Sequence, residues 1–180
     1  HIKAQNSFGV TIVDRTDATA MIAVQGPRAE EIVSGLASEP EKLLGTPLFT
    51  VAETKIAGVD CFAPRSGYTG EDGFELICPV GDAETLWNAL LQAGVEPCGL
   101  GSRDVLRLEA GLPLYGHELS DDLNPIAAQL GWAIGNEKKF LGCEPIYEAR
   151  KNGTPTKLRG VILEGKRLPM QGMKVFISGK

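Results

Sequence analysis

Three strand-like segments, 48–53, 55–63 and 74–78, follow one another along this 180-residue chain on short connections. Strands joined so closely, with helices interspersed rather than strictly alternating, favour an α+β fold with an antiparallel sheet and flanking helices. The second segment holds Ala57-Gly58, where a tight bend or bulge fits. Upstream, residues 9–14 read as a short strand by their β-branched content. Ala18 to Gln25 is apolar enough for a buried strand. Gly26-Pro27 ends it and opens a helix, with Pro27 suited to the first helical position. Ala29, Ile32, Val33, Leu36 and Ala37 then recur on one helical face. Asp82 can cap a helix whose apolar side is Ala83, Leu86, Trp87 and Leu90, and Gly94 closes it. A further helix is expected from about Ser102 to Ala110.

The polar, turn-rich run 117–127 marks a domain boundary. Beyond it come an apolar stretch at Leu130 to Ile134, a helix around 144–151, and two strands at 158–164 and 173–178, the start of a β-rich domain. The chain begins without Met and ends on a strand-like segment with nothing after it to pair. An exposed ladder is a poor place for a domain to stop, so a fragment is expected.

Eighteen basic residues against 23 acidic give a net charge of −5, which offers little to nucleic acid or to an anionic membrane. No phosphate loop and no dinucleotide fingerprint is present. Four scattered cysteines and two histidines, His1 and His117, lack the clustering of a metal site, so no metal is expected. The cysteines read as small buried hydrophobes in a reducing cytoplasm. Trp87 and Trp132 lie on apolar faces and read as core.

Two segments could carry chemistry. Gly67 to Leu76 has three glycines in seven residues, which permits unusual backbone angles or close approach to the backbone. It enters a strand in which Glu75 is flanked by Phe74, Leu76 and Ile77; a carboxylate there must face water or meet donors. In Gly99 to Gly116, Arg103 falls in a first helical turn, where the dipole disfavours cations, and Arg107 lies one turn later. Something negative or hydrogen-bond accepting lies against them, or Asp104, Glu109 or Glu71-Asp72 supplies the countercharge locally. By residue chemistry alone the two segments mark a polar site or a salt-bridge cluster.

Val24-Gln25-Gly26-Pro27, Gly67 to Leu76 and Gly99 to Glu118 occur in the order and spacing of the glycine cleavage T-proteins. Phe140-Leu141-Gly142 and Lys157-Leu158-Arg159-Gly160 are also similar to that family. The resemblance runs from about Asp17 to Phe176 and is strongest over 66–118. It implies an aminomethyltransferase that takes an aminomethyl group from the lipoyl arm of H-protein, passes its methylene to tetrahydrofolate and releases ammonia. It further implies that Glu75 and Arg103 contact the folate, that Tyr68 lines the pocket, and that the acid–base aspartate lies upstream of this chain. No catalytic residue is then expected within these 180 residues, and the isolated chain is expected to be inactive. By the same resemblance, 1–16 finish one domain, 17–117 are the later part of a discontinuous folate-binding domain, and 118–180 begin the last.

Some positions depart from the family pattern: Ala127-Ala128-Gln129 where Glu-Ala-Gly is usual, Gln171 where many members have arginine, and Leu48 and Phe49 where some have tyrosine. These leave open a folate-dependent relative that demethylates dimethylglycine, sarcosine or a sulfonium compound. A non-catalytic folate-binding accessory protein is a further alternative, although Lys139-Phe-Leu-Gly-Cys143-Glu does not match the motif of the iron–sulfur-assembly group.

Overall fold

A computed structural model describes residues 9–136, 138–165 and 172–176. The chain divides into two compact units, one up to Leu112 and one from Pro113. The first holds strands β1 (Thr19–Gln25), β2 (Val51–Ile56), β3 (Val59–Pro64) and β4 (Gly73–Pro79), with helices α1 (Ala29–Leu36), α2 (Ala83–Gln92) and α3 (Leu100–Glu109). The sheet is antiparallel in the order β1-β4-β3-β2, so the α+β expectation with flanking helices holds.

Register fixes which side chains share a face. Val24 lies opposite Phe74, Ile22 opposite Leu76 and Ala20 opposite Cys78. With period-two alternation these point to one side, where Val33, Leu43, Leu86 and Leu90 close over them to form the core. The other side carries Met21, Gln25, Phe62, Glu75 and Ile77. Met21 and Phe62 are 61 % and 50 % exposed among the described residues. The site grows from this second face.

Several sequence readings shift. Residues 9–14 form no strand among the described residues, and the Val10 and Val13 side chains are more than half exposed. β1 is an edge strand with only Val24 buried, rather than a buried strand. Pro27 precedes α1 by two residues, because Gly26 adopts φ 123° and the first turn closes from Ala29 N–H to the Gly26 carbonyl. Ala57-Gly58 separates two strands instead of bending one. Both residues have positive φ, 51° and 82°, as a two-residue type I′ hairpin requires.

Asp82 occupies the N-cap of α2 but makes no capping side-chain bond. Gly94 does close that helix, at φ 89°: its N–H donates to Leu91 and that of Val95 to Leu90, the Schellman pairing. Trp87 and Trp132 are not core, at 42 % and 82 % exposed. Cys61 and Cys78 are buried as expected, and burial, then the neighbouring Cys78 thiol, pushes Cys61 up to about 11. Cys98 is exposed, which the sequence reading missed.

In the second unit Gly131–Ala133 is a single 3-10 turn and α4 spans Cys143–Asn152. Tyr147 ties α4 to the loop before it, donating to the carbonyls of Lys138 and Gly135 at 2.7 and 3.1 Å. Residues 158–164 form no strand, and Ile162 is almost fully exposed. Residues 173–176 carry no strand among the described residues, while Ile177, Ser178 and Gln171 lie outside the described residues. No helix among the described residues is long and apolar enough to cross a membrane.

Candidate functional site

The glycine-rich loop 65–73 leaves the end of β3 and folds back across the end of β1. Arg65 anchors it. Its guanidinium donates to both carboxylate oxygens of Asp72 at 3.0 and 2.6 Å, to Glu30 of α1 at 2.6 Å and to the Thr46 carbonyl at 2.9 Å. It also lies over the Phe74 ring, 5.7 Å from the centroid. The Arg65 hydrogen bond holds the Asp72 carboxyl below its ordinary value. Glu30 is lowered first by the Gly45 N–H and then by Arg65.

Gln25, the last residue of β1, fastens the middle of the loop. Its Nε2 donates to the Ser66 carbonyl at 3.1 Å, and its Oε1 accepts from Thr69 Oγ1 at 3.1 Å. A Cβ at Gly67 would overlap the Gln25 side chain, and one at Gly73 would overlap both Gln25 and the Val24 carbonyl. Gly70, at φ 79°, packs so closely on Ala110 that a Cβ there would lie 2.7 Å from the Ala110 Cβ. The glycines thus serve close approach of the loop to β1 and to the end of α3.

Glu75 is half-buried on β4, opposite Ala23, and its carboxylate accepts a hydrogen bond from the Ser66 hydroxyl. The choice between water and donors is settled in part by this donor. On α3 the two arginines separate. Arg107 is 3 % exposed and pairs with Asp104 at 2.8 Å, the local countercharge. Arg103 is exposed and makes no ion pair among the described residues. Its guanidinium stacks over the Tyr68 ring at 4.6 Å, within cation–π range. The Tyr68 hydroxyl reaches to 3.5 Å from the Leu112 carbonyl.

Glu75, Arg103 and Tyr68 all line one cleft of about 290 Å³ along the edge of β1, walled by Met21, Trp87 and Leu106. Apolar walls with a few convergent polar groups suit a small organic ligand. A carboxylate, a guanidinium with no carboxylate partner among the described residues and an aromatic ring in such a space suit a flat ligand bearing both donors and acceptors. A larger cavity of about 600 Å³ lies around the start of β1 and the end of β4 and holds none of these three residues. His117 stands exposed in the second unit, its backbone N–H bonded to Leu114.

Sequence reasoning missed Ser66 and Gln25. Gln25 left a signal, being the polar residue that ends an apolar run just before Gly26-Pro27. Ser66 left none, because its contact depends on the path of the loop.

Residues 1–138 match the family described as the GCVT N-terminal domain. An aminomethyltransferase of Exiguobacterium sibiricum is 44 % identical over 181 residues, covering 100 % of this chain and 50 % of the relative. Those of Streptomyces avermitilis and Synechococcus elongatus are 44 % and 43 % identical, covering 96 % and 94 % of this chain and 48 % and 45 % of theirs. The chain therefore spans about half the length of the curated relatives it matches. The crystal structure of glycine cleavage system aminomethyltransferase T from Bartonella henselae aligns with a TM-score of 0.65 and 37 % identity, over 75 % of this chain and 37 % of that one. On the match to most of its length, the chain belongs to the GCVT N-terminal domain family.

Proposed function

We propose that the protein carrying this chain is a tetrahydrofolate-dependent aminomethyltransferase of glycine cleavage, with the cleft beside β1 as part of its folate site. The observation that carries this reading is the convergence of Glu75, Arg103 and Tyr68 on that one cleft. Glu75 accepts hydrogen bonds from the ring N–H and exocyclic amine of the pterin, each charge-assisted bond contributing about 1.5–3 kcal/mol. Arg103, without a carboxylate partner among the described residues, donates to folate acceptors, and Tyr68 gives a flat wall.

In the reaction, the carbon–sulfur bond of the aminomethyl-lipoyl arm breaks and the dihydrolipoyl sulfur is restored. The methylene forms bonds to two folate nitrogens as its carbon–nitrogen bond also breaks; of the two N–H protons released, one completes the thiol and the other leaves with the amine as ammonia. What these residues contribute is orientation: a pterin held at its far edge has its reactive nitrogen directed at the donor carbon, and such positioning lowers the barrier by reducing the entropy to be lost. The acid–base carboxylate is assigned to the half of the relatives' length that this chain does not span, so these 180 residues alone are expected to give no turnover. The partner is lipoylated H-protein, docking transiently, and the setting is the cytoplasm, in keeping with the bacterial relatives.

Calorimetric titration of tetrahydrofolate into the intact protein tests the assignment. Glu75→Ala is expected to weaken binding at least about tenfold. Undiminished affinity in that variant would remove Glu75 from the site.

A further inference from the structure

A glutamate on a half-exposed strand can take several rotamers at similar cost, and a site that reads two ligand donors at once needs one of them. The Ser66 hydroxyl reaches across nine positions to donate to the Glu75 carboxylate. The backbone at Ser66 is itself held by the surrounding loop. Gln25 fastens its carbonyl at 3.1 Å, Arg65 beside it is locked to Asp72 and Glu30, and Gly26 N–H donates to the Asp72 carbonyl at 2.8 Å. The donor is therefore fixed to the end of β1 and to α1 rather than to a free loop. A carboxylate has acceptor capacity for about four hydrogen bonds, so one bond from Ser66 leaves capacity on both oxygens for a pair of parallel donors.

We infer that Ser66 is a positioning residue whose hydrogen bond to Glu75 aligns that carboxylate with the adjacent ring N–H and amine of a 2-amino-4-oxopteridine, and so sets discrimination for that donor pair. This rests on the folate reading of the cleft. Glu75 touches the ligand; Ser66 acts through Glu75.

The test is calorimetric titration of the intact protein with tetrahydrofolate and with its analogue lacking the 2-amino group. Ser66→Ala is expected to bind tetrahydrofolate about tenfold more weakly, the scale of one hydrogen bond to a charged group. The analogue, which offers no donor pair, should lose much less, so the ratio of the two affinities narrows. Ser66→Thr keeps a hydroxyl and should restore the ratio. Ser66→Cys is nearly isosteric but a poor donor, carries the same expectation as alanine, and keeps the test valid should the alanine variant be unstable. An unchanged ratio in both donor-poor variants, or equal losses for both ligands, would overturn the inference. Glu75→Ala, measured alongside, separates the two readings. If it abolishes binding while Ser66→Ala and Ser66→Cys change nothing, only the role of Ser66 falls; if it changes nothing, the folate assignment falls too.

Discussion

Arg65 shows how one side chain can govern a site it does not enter. Its guanidinium uses both edges, one on Asp72 and one on Glu30, and only 13 % of the side chain is exposed. Replacing it with methionine would strand two carboxylates that are each about a third exposed, so water offsets part of the loss. Arg65→Met is expected to destabilise the fold by about 2–3 kcal/mol at neutral pH. Asp72 and Glu30 both titrate below their ordinary values in the folded protein. The stability they contribute is thus complete above those ordinary values and is lost as pH falls through the folded ones. Thermal unfolding of parent and variant across pH should show the gap closing below about pH 4. A gap constant down to pH 3 would refute the clamp. At this scale family resemblance names Glu75, Tyr68 and Arg103, residue chemistry alone singles out Glu75 and Arg103, and the three line one cleft. Ser66 and Gln25 were not legible as partners, since both contacts join residues that only the folded path brings together.

Among the elements, the β2–β3 hairpin carries a visible cost. Ala57 adopts φ 51°, a left-handed conformation that a Cβ disfavours by roughly 1–2 kcal/mol and that asparagine tolerates better. Its N–H donates to the Leu36 carbonyl at 2.8 Å, a bond that any residue but proline keeps. Ala57→Asn is therefore expected to stabilise the protein by about 0.5–1 kcal/mol. Urea denaturation should show a higher midpoint at unchanged slope; a midpoint that falls would contradict the turn assignment. The helices and β4 were readable within a few residues because apolar spacing, Gly94 and the glycine-rich loop bound them. The first two strand readings slipped because Ala57-Gly58 fits a bulge as well as a turn, and only pairing decides. Residues 158–164 show the converse, a strand-like composition with no ladder among the described residues.

For the molecule as a whole, the sheet is covered on one side and open on the other among the described residues. Met21, Val51 and Phe62 place apolar side chains on the open side, with Ile77 beside Phe62. An exposed apolar face of this kind binds hydrophobic dyes and promotes association. The 180-residue chain is expected to enhance the fluorescence of such a dye, and Met21→Lys with Phe62→Lys should reduce the enhancement while preserving the far-ultraviolet dichroism. Enhancement untouched by those substitutions would locate the apolar surface elsewhere. The α+β class and the antiparallel sheet were legible from the short connections. Which face would remain open was not, because alternation marks two faces and does not name their partners.

The crowding around Gln25 also bears on descent. At Gly67 the obstacle to a side chain is the far end of Gln25, so a lineage that first shortened residue 25 could afterwards accept alanine at 67. At Gly73 the obstacle includes the Val24 carbonyl, which no substitution at 25 removes. The two loop glycines thus differ in the substitutions open to them: one can change once residue 25 is shortened, and the other is closed to every order of steps that keeps β1 in place.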